Sequence, residues 1–219
     1  MALKGIKCKL LTWDDIYNYA IAAGDKVKQD GFRPEVIVGI SRGGWVHARI
    51  QSDYLGVKQL YTIKVAHWGV TATITGNAEL QIPLVGDVKG KKVLVVDDIT
   101  DTGDSLSLGA KHVMEKGAAE VRTATLQHIN GSKFVPNYFG EEVEWSWFVY
   151  PWNFFEDMVS LIGKIFEGEK TDTLKDDEVK KLLKEYNGIT ISEERFNRVK
   201  DHLNWLGTYQ IKNGLWKKI

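Results

Sequence analysis

Residues 93–105 read VLVVDDITDTGDS, an apolar run that passes directly into two aspartates and then into threonine, glycine and serine. An apolar run with no polar alternation describes a strand buried on both faces, because a half-exposed strand alternates. Such a strand needs helices on both sides of its sheet. The polar residues that follow then fall at the strand's carboxyl end, where open α/β sheets hold their ligands.

The rest of the chain repeats that alternation. Thr12 and Asp15 in TWDD resemble a helix start, with the threonine as cap. Ile16, Tyr19, Ala20, Ala23 and Val27 recur at helical steps, and Gly31 and Pro34 end the segment. VIVGI (36–40) predicts a short strand, then SRGG, then a helix from Trp45 to Tyr54. LYTIKV (60–65) is the next strand, and 66–83, rich in Gly, Thr and Ala, reads as a long loop or exposed ribbon. After KKVLVVDD, the residues Leu106, Leu108, Ala110, Val113 and Met114 predict a helix closed by Gly117. VRTATL (121–126) is strand again. The expected fold is α/β, a parallel twisted sheet flanked by helices, with both polar loops at one edge.

Beyond residue 165 the composition changes. EGEKTDTLKDDE is linker-like, and VKKLLKEYNG and SEERFNRVKDHLNWLG read as amphipathic helices, the second with Phe196, Val199, Leu203 and Leu206 in one stripe. The expected division is a core over 1–165 and a helical appendage over 166–219.

Composition narrows the class. With 219 residues the chain can bury one core of about 150 residues plus an appendage. The 29 basic and 29 acidic residues cancel, so no global field attracts nucleic acid or an anionic membrane. A single cysteine, Cys8, excludes an intrachain disulfide and a cysteine-based zinc cluster. No stretch reaches the ~18 apolar residues of a membrane span, and MALKGIKCKL lacks the apolar run of a signal sequence. A cytoplasmic enzyme or binding protein is the expectation.

The loop chemistry then specifies a ligand. A glycine-containing loop that opens a helix presents free N–H groups and the positive end of the helix dipole, which is a seat for phosphate. Thr100, Thr102 and Ser105 add hydroxyl donors, and Gly103 lets the backbone wrap closely. Asp97 and Asp98 would repel a phosphate, so they suit hydroxyls or a cation. A phosphorylated ribose with a divalent cation satisfies all of these groups. The loop is neither a Walker A sequence nor a dinucleotide fingerprint.

VLVVDDITDTGDS resembles the phosphoribosyl-pyrophosphate signature of the type I phosphoribosyltransferases: four apolar residues, two acidic, two variable, then Asp/Ser-Thr-Gly-x-Ser/Thr. The resemblance implies that Asp97 and Asp98 bind the ribose hydroxyls and, through them or through water, Mg2+. It implies that Thr100, Asp101, Thr102, Gly103, Asp104 and Ser105 cradle the 5-phosphate. Asp101 would exchange a proton with the base nitrogen. GISRGG (39–44) stands where the family keeps its pyrophosphate loop, often with a cis peptide, which implies roles for Ser41, Arg42, Gly43 and Gly44. Arg42 has a fork suited to phosphate oxygens. Lys64 reads equally as a pyrophosphate ligand or a solvated lysine.

WFVYPW (147–152) resembles the Trp-Ile/Val-x-x-Pro-Trp segment in the hood of bacterial xanthine–guanine phosphoribosyltransferases, with Phe148 at the aliphatic position. By that likeness Trp147 stacks on the base and the backbone near Phe148 meets its exocyclic groups; packing in a core or a dimer is the other reading of these tryptophans. Those enzymes place a lysine where this chain has Gln127 and His128, so base preference stays open. His128 is a base ligand or an ordinary loop histidine. The stretch 66–83 corresponds to the family's closing flap. The resemblance covers about residues 10–160 and implies transfer of ribose 5-phosphate to N9 of a 6-oxopurine (purine salvage), with homodimers or homotetramers expected.

Two other readings remain. Some members of the family sense the same metabolite while binding nucleic acid, and the tail followed by GTYQIKNGLWKKI is similar to a winged helix. Residues 171–219 carry ten Lys/Arg against eight Asp/Glu, a net of +2, so nucleic acid is not the expected partner. The acceptor could instead be adenine or uracil. Orotate is not expected, because 67–83 contains no Lys or Arg to meet its carboxylate.

Overall fold

The computed structural model describes residues 6–67 and 78–219. A short strand β1 (Cys8–Leu10) precedes α1 (Trp13–Gln29), β2 (Val36–Ser41), α2 (Gly44–Tyr54) and β3 (Gln59–His67). Then come β4 (Ala78–Ile82), β5 (Lys92–Thr100), α3 (Asp104–Glu115), β6 (Glu120–Ile129), β7 (Tyr138–Val143) and β8 (Trp147–Val149). The chain closes with α4 (Phe154–Glu169), β9 (Thr173–Lys175), α5 (Asp176–Asn187), α6 (Glu193–Trp205), β10 (Tyr209–Lys212) and β11 (Leu215–Lys218). Two compact units result: Trp13–Trp145, and the chain up to Thr12 together with Ser146–Ile219.

The first unit is built on a six-stranded sheet in the order β4-β3-β2-β5-β6-β7. All its pairings are parallel except β3 with β4. Alternate residues of the apolar strands enter different cores. Val36, Val38, Ile40, Val93 and Val95 pack with Leu106 and Val113 of α3. Ile37, Leu94 and Val96 pack with Val27 of α1 and Ala48 of α2. Two-sided burial is why VIVGI and VLVV show no polar alternation. The expected strands and helices of this unit are all present. Gly31 and Gly117 hold φ of 70° and 92°, the left-handed conformation that suits glycine where a helix ends.

Two boundaries differ from expectation. β5 does not stop at the acidic pair but continues to Thr100, because β6 keeps pairing with it as far as Thr100↔His128. β3 runs past Lys64 to His67, with an irregular register between Lys64 and Val65. It pairs antiparallel with β4, so the ends of 66–83 form the exposed-ribbon alternative; the expected flap tip at 68–77 lies outside the described residues.

The second unit also departs from expectation. The boundary placed after 165 falls inside α4, and the compact unit instead starts at Ser146 and takes in β1, which pairs with β8. The 154–166 stretch belongs here because Phe154, Met158, Leu161, Ile162, Ile165 and Phe166 share one core with Val179, Phe196, Leu203 and Trp216. The appendage is not purely helical. β9, β10 and β11 form an antiparallel sheet in the order β10-β11-β9, strands of three or four residues too short to show a period. The order α4–β9–α5–α6–β10–β11 is that of a winged helix. Phe196, Val199 and Leu203 are buried as expected, whereas Leu206 is 42% exposed just past the end of α6. No helix among the described residues is long and apolar enough to cross a membrane.

One carboxylate lies inside this second core. Asp157 is buried and accepts a hydrogen bond from Nε1 of Trp147 at 3.1 Å. Loss of hydration pushes its pKa up to about 6, against the lowering effect of that indole donor. A raised folded-state pKa means that the folded protein takes up the proton before the unfolded chain does. Stability from this group is therefore full below about 3.8 and is lost as pH rises through about 6. Asp157→Asn, neutral and still able to accept from Trp147, should raise stability at pH 7.5 by about 1–3 kcal/mol. It should also flatten the pH dependence between about 4 and 6. Denaturant unfolding of both proteins at pH 5 and 7.5, followed by tryptophan fluorescence, checks this; an unchanged difference between the two pH values would contradict it.

Candidate active site

Two loops leave neighbouring central strands of the first unit at the same edge. The first follows β2: Ser41 ends the strand, the Ser41–Arg42 peptide is cis, and α2 begins at Gly44. The second follows β5, where Asp101 and Thr102 lead to Gly103 and then to α3. Because β2 and β5 pair as far as Gly39↔Val96, the loops sit side by side.

They interlock through missing side chains. A Cβ on Gly44 would lie 2.7 Å from both Asp97 Cα and the Val96 carbonyl oxygen, and one on Gly43 would run into the Asp98 carboxylate. At Gly44 the neighbours are backbone, so glycine is required there by close approach and not by φ; at Gly43 a Cβ would displace the Asp98 side chain. The same proximity lets Gly44 N–H donate to the Asp97 carboxylate, which also accepts from Asp98 N–H at 3.0 Å. Asp98 Oδ1 accepts from Ile99 N–H at 2.9 Å. Burial, and then the adjacent Asp98 charge, push the pKa of Asp97 well above the usual carboxylate range despite those donors.

The loop after β5 opens helix α3 at Gly103, whose φ of 86° only glycine adopts easily and whose Cα abuts Phe134. Thr102 Oγ1 accepts from Asp104 N–H at 3.3 Å and lies 3.1 Å from Asp104 Oδ2. Ser105 lies in the first turn of α3, and Thr100 Oγ1 donates to Thr125 on β6 at 3.3 Å. The N-terminus of a helix, with hydroxyl side chains beside it, suits a phosphate. Beside the other loop, Ser41 pairs with Lys64 across the β2–β3 ladder, and its Oγ lies 2.5 Å from Thr62 Oγ1. Arg42 is exposed at the loop tip.

Gln127 and His128 lie next to the phosphate loop, opposite Ile99 and Thr100 in the ladder. Both are buried. Gln127 donates to Glu141 on β7 at 3.3 Å. Glu141 is also hydrogen-bonded to Tyr19, whose pKa is pushed up to about 12 chiefly by burial and then by that bond. His128 packs against the Phe139 ring at a 40° tilt and has a buried Nδ1 with no hydrogen-bond partner. An orphaned ring nitrogen at this edge is what an incoming donor or acceptor would satisfy.

The matched families agree with this geometry. Residues 12–157 match the phosphoribosyl transferase domain. The chain belongs to the phosphoribosyltransferase family. It is 29% identical over 150 residues to the xanthine-guanine phosphoribosyltransferase of Cereibacter sphaeroides, covering 65% of this chain and 85% of that protein. It is 37% identical over 93 residues to the orotate phosphoribosyltransferase of Oceanobacillus iheyensis, covering 42% of each. The crystal structure of a purine phosphoribosyltransferase from Pyrococcus horikoshii superposes with a TM-score of 0.59 at 32% identity, over 67% of this chain and 94% of that one.

Both loops follow strand ends as expected, and Asp97 through Ser105, Ser41 through Gly44, Lys64, Gln127 and His128 all lie on one unit. Trp147 and Phe148 do not. They are on β8 of the second unit, where Trp147 packs against that unit's core with its indole N–H on Asp157. Lys9 lies 5.7 Å from the Phe148 ring centroid. The packing reading of Trp147 thus holds in part, since the ring is half-buried.

Sequence reasoning passed over His47, Gln51 and Glu141. His47 and Gln51 are a polar i, i+4 pair on the buried face of the helix after SRGG, a signal visible without the structure. Glu141 was not accessible, because the β7 strand that carries it was not anticipated. Gly44→Ala should force the two loops apart and raise the KM for phosphoribosyl pyrophosphate on the order of tenfold or more, with a smaller effect on the KM for the base. Steady-state kinetics with each substrate varied separately checks this; equal rises in both constants would contradict it.

Proposed function

We propose that the protein is a purine phosphoribosyltransferase, transferring ribose 5-phosphate from phosphoribosyl pyrophosphate to N9 of a 6-oxopurine. The observation that carries the reading is the interlock of Gly43-Gly44 with buried Asp97 and its half-buried neighbour Asp98, beside a glycine-opened helix N-terminus. That arrangement offers a phosphate seat, a diol seat and a second phosphate loop within one edge. The choice of purine rests on the likeness to the xanthine-guanine and purine enzymes and on the WFVYPW segment. The match to the orotate enzyme is higher in identity but spans less than half of it, and 67–83 brings no cation for a carboxylate.

The reaction makes the N9–C1′ bond and breaks the bond from C1′ to pyrophosphate, with positive charge growing on the ribose ring. Asp97 and Asp98 hold the ribose hydroxyls and lower the energy of that charge. Thr100 to Ser105 fix the 5-phosphate, and Ser41 to Gly44 receive the leaving pyrophosphate. Asp101 takes the proton that the base loses. A pair of carboxylates, with no cluster of three or more ligating side chains among the described residues, fits a Mg2+ held mainly by substrate oxygens. When bound, that ion neutralises charge on the departing pyrophosphate. His128 or Gln127 would meet the purine's 6-oxygen in place of a lysine.

The winged-helix order of the second unit favours one other reading, a regulator that senses phosphoribosyl pyrophosphate and contacts nucleic acid. Its charges oppose that. Helix α6 begins with Glu193 and Glu194, Arg198 pairs with Glu194 at 2.9 Å, and Lys200 pairs with Asp176 at 2.9 Å.

Purified protein given phosphoribosyl pyrophosphate, Mg2+ and single bases should form nucleotide with xanthine, guanine or hypoxanthine. Product only with adenine, uracil or orotate would refute the purine assignment. No product with any base, together with salt-dependent DNA binding, would favour the regulator. Asp101→Asn should lower kcat on the order of a hundredfold while leaving phosphoribosyl pyrophosphate binding within a few-fold; equal losses in both would refute its proton-transfer role.

A further inference from the structure

Beneath the acidic pair lies a buried chain of hydrogen bonds that no substrate group reaches. His47 of α2 is fully buried, with Nδ1 2.9 Å from the carbonyl oxygen of Asp97. Its Nε2 lies 3.0 Å from Nε2 of Gln51, one turn further along the helix. Gln51 Nε2 in turn donates to the Ala20 carbonyl of α1 at 2.6 Å.

Donor and acceptor logic fixes the tautomer. An amide nitrogen only donates, so ring Nε2 must accept, and the ring proton sits on Nδ1, where it donates to Asp97. Turning the Gln51 amide over would set its oxygen against the Ala20 carbonyl, acceptor to acceptor. The orientation is kept although Gln51 Oε1 is then buried without a partner. Room for that oxygen comes from α1, where a Cβ on Gly24 would come within 2.8 Å of it.

The β2–β5 ladder ends at Gly39↔Val96, so Asp97 is the first β5 residue beyond it. His47 takes over there, three residues after the Gly44 whose N–H meets the Asp97 carboxylate. One helix thus grips the same aspartate twice, by its side chain and by its carbonyl.

We propose that His47, locked as the Nδ1–H tautomer by Gln51, is a positioning residue that fixes the Asp97 peptide and so aims the carboxylate pair at the ribose hydroxyls. This rests on the proposed function, since it assigns Asp97 to phosphoribosyl pyrophosphate.

The test compares His47→Leu, which keeps volume but lacks a donor, with His47→Asn, whose side-chain amide replaces Nδ1–H. His47→Leu should raise the KM for phosphoribosyl pyrophosphate on the order of tenfold or more while the KM for the base moves little. His47→Asn should restore most of that loss. Nitrogen-15 NMR of the wild-type imidazoles should show His47 neutral with its proton on Nδ1, and Gln51→Leu should release that preference and raise the same KM if His47→Leu fails to fold. Two substituted proteins with wild-type KM, or an Nε2–H tautomer in the wild type, would overturn the proposal. Wild-type protein that does not bind phosphoribosyl pyrophosphate would instead overturn the functional reading, and calorimetry with that ligand alone separates the two failures.

Discussion

The close approach of Gly43 and Gly44 to Asp97 and Asp98 is the constraint from which the rest of the active edge follows. Two loops that each end a strand meet with Gly44 against the backbone of Val96 and Asp97 and Gly43 against the Asp98 carboxylate, so a shift in one displaces the other. The approach needs β2 and β5 to be neighbours, which needs a sheet in which the loop-bearing strands are central. It also needs α2 to start at Gly44, because the helix then presents both Gly44 N–H and the His47 ring to the same aspartate. The glycines serve geometry here as surely as any charged group serves chemistry.

That geometry stands on burial. Each central strand sends alternate residues into two cores, one under α3 and one under α1 and α2. Interiors packed to the density of organic crystals transmit displacement and do not absorb it. A loop seated at the end of such a strand is held to the tolerance of the core. The strand-end loops therefore inherit their precision from core residues such as Val38, Val95 and Leu94.

What could be read in advance follows from the length of the signals. Strands buried on both faces gave continuous apolar runs, and the helices between them kept a clear period, so the sheet and its two loops were visible in the amino-acid order. The loop residues were visible because glycine, acid and hydroxyl occur there in one unbroken stretch. β1, β8 and β9 were not visible, since three residues carry no period. The boundary after 165 was misplaced because α4 is apolar enough to look like core, and it is core, but to the second unit. His47 and Gln51 stand in the sequence as a polar i, i+4 pair, but their role was hidden, because it depends on a carbonyl from a distant strand and backbone groups leave no mark in a sequence.

The electrostatics of the acidic pair then explain why such a site accepts its ligand. Two adjacent carboxylates, one of them buried, oppose each other's ionisation, and Asp97 is pushed toward its protonated form. Donors from Gly44 and Asp98 offset part of this but not all. A ligand that brings hydroxyl donors and a divalent cation favours the ionised pair, so its binding is coupled to loss of a proton from the site. A phosphate alone would worsen the repulsion. On the proposed reading, the pair thus selects against free phosphates and pyrophosphate without their cation, and for a ribose that presents its diol. On that reading, the same two charges that oppose each other are those that would stabilise a ribose ring turning positive.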